Sequence, residues 1–200
     1  MKTQFSPLRL GFNPAVIGIA ALLLLTGCEQ ASRVTDYFTK PVILACPDYR
    51  ILADASTLVA YKPGPGRDLI DVDFEGAINN MRLGCETRRD KETKIGNMEV
   101  DIAMDFLAQR GPANKTKSAE FPYFISVTDL NQKVLYREEF KIAASFAGNR
   151  TGIGISSDRI VLNLPLKPDV TGRSYIIYSG FILTREQLQQ NRQRRKQTTR

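Results

Sequence analysis

The sequence predicts an all-β fold: a single antiparallel β-sandwich over residues 42–184, followed by a short basic C-terminal helix or disordered tail. Three observations carry this. Apolar residues recur at every second position in one stretch after another, which is the pattern of half-buried strands. Clusters of glycine, proline, asparagine and aspartate separate the stretches. No long stretch in this region repeats with a helical period. An immunoglobulin-like arrangement is one form such a sandwich takes, and a barrel is the alternative.

The first strands are expected near Val42 to Leu52 and Thr57 to Tyr61. "LIDVDFEGAI" then sets Ile70, Val72, Phe74 and Ile78 on one face and Asp71, Asp73 and Glu75 on the other. "EVDIAMDFLA" sends Val100, Ile102, Met104 and Phe106 inward, with Glu99, Asp101 and Asp105 outward. Further on, "FPYFISV" alternates through Phe121, Tyr123, Ile125 and Val127, and "KVLYREEFKI" through Val134, Tyr136, Phe140 and Ile142. "RIVLNLPL" supplies Ile160, Leu162, Leu164 and Leu166, and "SYIIYSGFIL" supplies Tyr175, Ile177, Phe181 and Leu183. The breaks are "KPGPGRD" at 62–68, "RGPANK" at 110–115, "DLNQK" at 129–133 and "KPDVTGR" at 167–173. A body of this size buries roughly 70% of its unfolded surface, enough for one core. The chain has no tryptophan, so the tryptophan-on-disulfide packing of antibody domains is absent.

The last element differs in kind. Thr184-Arg185-Glu186-Gln187 fits a capping box, and "REQLQQNRQRRKQ" is rich in helix formers. Leu188 is its one apolar residue, so a helix here has no apolar face to bury and is expected to project from the final strand. It also holds the charge. The chain carries 28 basic and 21 acidic residues. Lys2 and Arg9 lie near the N-terminus, and the end from residue 185 holds Arg185, Arg192, Arg194, Arg195, Lys196 and Arg200 against Glu186, which leaves 20 of each sign between Cys28 and Thr184. The body is neutral, and the tail is basic.

The N-terminus has three zones. Met1 to Asn13 carries Lys2 and Arg9 and no acid, Ala15 to Leu25 is apolar or glycine throughout, and Leu25-Thr26-Gly27-Cys28 follows. That is the layout of a secretory signal over residues 1–27, and the apolar run is shorter than the roughly 20 residues a spanning helix needs. Leu25-Thr26-Gly27-Cys28 resembles the lipobox of bacterial lipoproteins. The resemblance implies cleavage before Cys28, a diacylglycerol on its thiol and an N-acyl chain on the new amino group. It also implies a lipidated tether over 28–41. Two or three acyl chains anchor a protein durably where one does not. Glu29 stands where inner-membrane lipoproteins often carry aspartate, which favours the outer membrane, facing the periplasm. In overall layout the chain resembles small envelope lipoproteins of Gram-negative bacteria.

With Cys28 lipidated, Cys46 and Cys85 remain of the three cysteines. In an oxidising compartment they read as a disulfide contributing roughly 3 to 4 kcal/mol. Buried free thiols or a redox pair are the alternatives, though the chain has no CxxC motif.

Candidate chemistry is sparse. The chain has no histidine, which removes the usual neutral-pH base, the histidine-dependent nucleophiles and the commonest zinc ligand. No cofactor or enzymatic activity is expected beyond the covalent lipid. Asp71, Asp73 and Glu75, with Glu99, Asp101 and Asp105 as a second row, are the calcium candidates; otherwise they are solvent faces balanced by Arg82, Lys94 and others. "AGNRTGIGISSD", 147–158, lacks the Gly-Lys-Ser/Thr ending of a P-loop and reads as a flexible connection that offers a binding edge. "NKT" at 114 and "NRT" at 149 match a glycosylation acceptor, a pattern of little weight in a bacterial lipoprotein.

Arg192, Arg194, Arg195 and Lys196 are candidates for capturing an anionic partner: lipid headgroups, peptidoglycan carboxylates or an acidic protein. Nucleic acid fits the charge but not the compartment. The expected function is a membrane-anchored, non-enzymatic binding or assembly module with an envelope protein as partner. The alternatives are a carboxylate-dependent hydrolase of cell wall or lipid and a calcium-dependent surface-binding module.

Overall fold

The structure, a computed structural model, describes residues 45–198. The expected signal peptide over 1–27, Cys28, and the tether over 28–41 lie outside the described residues. The strands are β1 (Asp48–Ile51), β2 (Thr57–Tyr61), β3 (Val72–Arg89), β4 (Gly96–Arg110), β5 (Ser118–Asp129), β6 (Val134–Ser145), β7 (Gly152–Ser156), β8 (Ile160–Leu166) and β9 (Tyr175–Phe181). A helix, α1 (Arg185–Thr198), closes the order. One sheet runs β1-β9-β5-β6; the other runs β2-β3-β4-β7, with β8 also paired to β4. Among the described residues no helix is long and apolar enough to cross a membrane.

The two inner faces meet in one core. Val100, Ile102 and Met104 are fully buried, as are Ile125 and Ile177, and Leu162, Leu164 and Leu166 join them from β8. Rings of Phe106, Phe121, Tyr123 and Phe181 pack with centroids 5.0 to 5.9 Å apart. Gly76 makes room for them: a Cβ there would stand 2.5 Å from the Phe121 ring. The middle strand, β4, pairs with β3 along its length; on its other side it pairs with β8 over its first half and β7 over its second. The change-over falls at Met104, whose backbone exchanges hydrogen bonds with Ser157.

Cys46 and Cys85 form a disulfide, with Cα atoms 5.8 Å apart. It ties the segment entering β1 in one sheet to β3 in the other. Closing a loop with a sequence separation of 39 stabilises the fold by about 4 kcal/mol on the chain-entropy estimate.

The structure corrects five expectations. The sandwich is not wholly antiparallel, since β1 runs parallel to β9. Leu69–Asp71 is a 3-10 turn rather than strand, which leaves Ile70 71% exposed and buries Asp71. Val134 and Tyr136, expected inside, are 57% and 43% exposed: β6 is an edge strand, and a register shift in its pairing with β5 sets Val134 opposite Thr128, off the face that Tyr136 shares with Val127. The glycine-rich 147–158 segment contains β7, hydrogen-bonded to β4, and is not simply a connection. The tail does not project: α1 lies against β2 and the Ala53–Ala55 turn.

Candidate functional site

α1 docks through polar atoms. Thr184 and Gln187 complete the capping box: the Gln187 N–H donates to Thr184 Oγ1 at 3.2 Å, and the Thr184 N–H to Gln187 Oε1 at 2.9 Å. The same Gln187 side chain donates its Nε2 to the Val59 carbonyl at 2.9 Å. Asn191, one helical turn on and 6% exposed, donates Nδ2 to the carbonyls of Thr57 at 2.8 Å and Asp54 at 2.9 Å. The spacings match. Residues four apart on a helix rise about 6 Å, and carbonyls two apart on a strand are about 6.8 Å apart. The Ser56 carbonyl accepts from Ile78 on β3, so Thr57 and Val59 present their carbonyls to the opposite side, where the amides meet them. Asp54 accepts from Arg192 Nε at 3.0 Å and from Arg195 Nη1, and these bonds hold its carboxyl below the usual range. Arg67 Nε reaches Glu186 at 3.0 Å.

Beside α1, the outer face of the five-stranded sheet forms a groove of about 1020 Å³. Directly opposite residues share a face, so the register gives its floor: one row is Val59, Glu75, Gln109 and Gly152, and the next is Thr57, Ala77, Leu107 and Gly154. Glycine and alanine keep the floor low, and Leu107, 50% exposed, is its apolar centre. Asn191, Arg194 and Arg195 form the wall. A second concavity, of about 530 Å³, lies between β6 and β8 and is lined by Leu135, Tyr136, Val161, Leu164 and Tyr175. Tyr136 donates its hydroxyl to Glu138 there, and that bond raises the phenol's pKa.

The acidic candidates are dispersed. Asp71 is held by Lys62 Nζ at 2.7 Å and by the Asp68 N–H, both of which lower its pKa. Asp73 is half-buried on β3, and Glu75 lies in the groove floor. In the second row, Arg159 bridges Glu99 and Asp101 at 3.5 and 2.6 Å, and Arg82 holds Asp105 at 2.9 Å. The register sets Glu75 opposite Gln109, so the two rows lie at different levels of the β3–β4 ladder. Among the described residues no group of three His, Cys, Asp or Glu side chains could hold a metal ion.

Of the tail candidates, Arg194 and Arg195 line the groove, Arg192 and Arg195 share Asp54, and Lys196 is exposed on the last turn. Sequence reasoning missed Gln187 and Asn191 as docking residues. Their four-residue spacing on one helix face was the available signal.

No protein-family model matches the chain, and no curated protein matches it. Among solved structures, the variable (V) domain of the AgI/II polypeptide BspA of Streptococcus agalactiae is similar at 14% identity, over 66% of this chain and 75% of that one, with a TM-score of 0.21. At that TM-score the likeness carries no argument about fold or function.

Proposed function

We propose that this chain is a bacterial envelope lipoprotein. In this reading acyl chains on Cys28 hold it at the periplasmic face of the outer membrane. There it works as a non-enzymatic binding and assembly module whose groove holds an extended, acidic segment of another envelope protein. The groove on the five-stranded sheet carries this reading: it is open and low-floored, and it has guanidinium groups along one wall. Around α1 the cations Arg67, Arg185, Arg192, Arg194, Arg195 and Lys196 outnumber the acids Asp54, Glu75 and Glu186, which favours an anionic occupant. Among the described residues Glu75 is the one carboxylate lining the groove, whereas two-carboxylate hydrolysis needs a facing pair. The disulfide is consistent with an oxidising compartment.

In-cell photo-crosslinking of the full-length chain tests this, with a photoreactive residue at Leu107 and, as control, at Lys141 on the other sheet. A discrete protein adduct is expected from position 107, lost with Arg194→Glu and absent from position 141. No adduct, the same adducts from both positions, or adducts to lipid or peptidoglycan alone would overturn the reading.

A further inference from the structure

Between them the two sheets present four strand edges, and an unpaired edge accepts a foreign strand unless something blunts it. β1 is short, with charged Asp48 and Arg50. β2 is covered by the amides of α1. β6 sets Glu138 opposite Ile125, which puts a charge on the inward side of the strand. On the fourth edge β8 carries Pro165. β7, on the same edge, reads Gly152-Ile153-Gly154-Ile155-Ser156, with no charge, no proline and no covering element among the described residues.

The register also shows which backbone groups of β7 face outward. The Arg110 N–H donates to the Thr151 carbonyl at 2.7 Å and the Ser157 N–H to the Met104 carbonyl at 2.8 Å. By alternation Ile153 and Ile155 likewise face β4, so the N–H and C=O groups of Gly152, Gly154 and Ser156 point to the open side. No side chain overhangs them at Gly152 or Gly154, and a Cβ added at Gly152 would meet nothing within 4 Å. Both glycines also line the groove, so a strand added on this edge borders it.

We propose that β7 is a strand-addition site for an extended segment of a partner protein, bonded through the backbone of Gly152, Gly154 and Ser156. Apolar residues at alternate positions of that segment would continue the inner layer of Ile153 and Ile155, so the chemistry recognised is an extended backbone with alternating apolar side chains. The inference takes from the binding-module reading only that a protein partner exists, and it depends on the β7 backbone rather than on Arg194.

The test uses the full-length chain in detergent micelles and a synthetic peptide of alternating valine and threonine, followed by site-resolved amide exchange. Peptide is expected to slow exchange at Gly154 and Ser156 by about tenfold or more, with Ile153 and Ile155 unchanged. Gly154→Pro removes an outward N–H that β4 does not use, so it is expected to keep the wild-type melting temperature and lose this protection. The same peptide N-methylated at alternate backbone nitrogens keeps its side chains and is expected to lose the effect too. Arg194→Glu is expected to leave it intact, which separates this proposal from the groove reading. Unchanged exchange up to the peptide's solubility limit overturns the proposal, as does equal protection by the N-methylated peptide. A dimer whose Gly154 and Ser156 amides are already protected without peptide also overturns it, in favour of pairing between copies.

Discussion

The two long margins of the sandwich are finished in opposite ways. At the β2 margin, α1 folds back and spends the amides of Gln187 and Asn191 on the carbonyls of Val59 and Thr57, while Asp54 gathers Arg192 and Arg195. At the β7 margin no element among the described residues folds back, and apolar Leu135, Tyr136 and Val161 stand 43% to 50% exposed near the adjoining β8. The chain protects one edge by side-chain chemistry rather than by adding a strand. That leaves the β7 edge available. A charged helix with one leucine is a poor element on its own but a suitable cap for a row of carbonyls, because each amide donates to a carbonyl that the edge leaves unpaired.

The largest effect should follow from removing the best-buried amide. Asn191→Ala leaves the Thr57 and Asp54 carbonyls without their donor and is expected to cost about 1–3 kcal/mol, read as a lower urea midpoint with an unchanged slope. A substitution that changes nothing would mean α1 does not close this margin.

A smaller, pH-dependent effect should come from Asp54. Its folded-state pKa lies below the ordinary value of 3.8, so its contribution is present above 3.8 and is lost as pH falls through the depressed folded value. In acid titrations followed by thermal melting, Asp54→Asn should lower stability near neutrality. The difference from wild type should shrink below about pH 4 and with added salt. A difference that persists at low pH would assign the effect to packing instead.

Much of the sandwich was legible because period-two alternation reports which face is buried. Val100, Ile102, Met104 and Phe106 are all inside as read, since β4 is the middle of its sheet and its inner face meets the other sheet. Alternation reports neither where a sheet ends nor where a ladder shifts register, so Tyr136 on the edge strand β6 and Val134 beyond the β5–β6 shift both read as core. The run around Asp71 alternates too, but the Asp68–Asp71 hydrogen bonds turn the chain before the strand begins. Glycines hid β7, yet Ile153 and Ile155 kept the alternation visible between them. The docking of α1 could not be read from apolar pattern at all, because its contacts are amide to carbonyl and guanidinium to carboxylate. Of the tail cations singled out in the sequence, two line the groove and two are joined to Asp54, with Arg195 in both sets. That division depends on a contact 141 residues apart in sequence, between Asp54 and Arg195.

The most direct measurement compares amide exchange over residues 57–61 and 152–156 in the full-length chain and in a chain ending at Thr184. If α1 closes the β2 margin and leaves β7 open, its removal should speed exchange at 57–61 by about tenfold or more and leave 152–156 unchanged. Exchange at 57–61 that ignores the truncation, or at 152–156 that responds to it, would contradict the account.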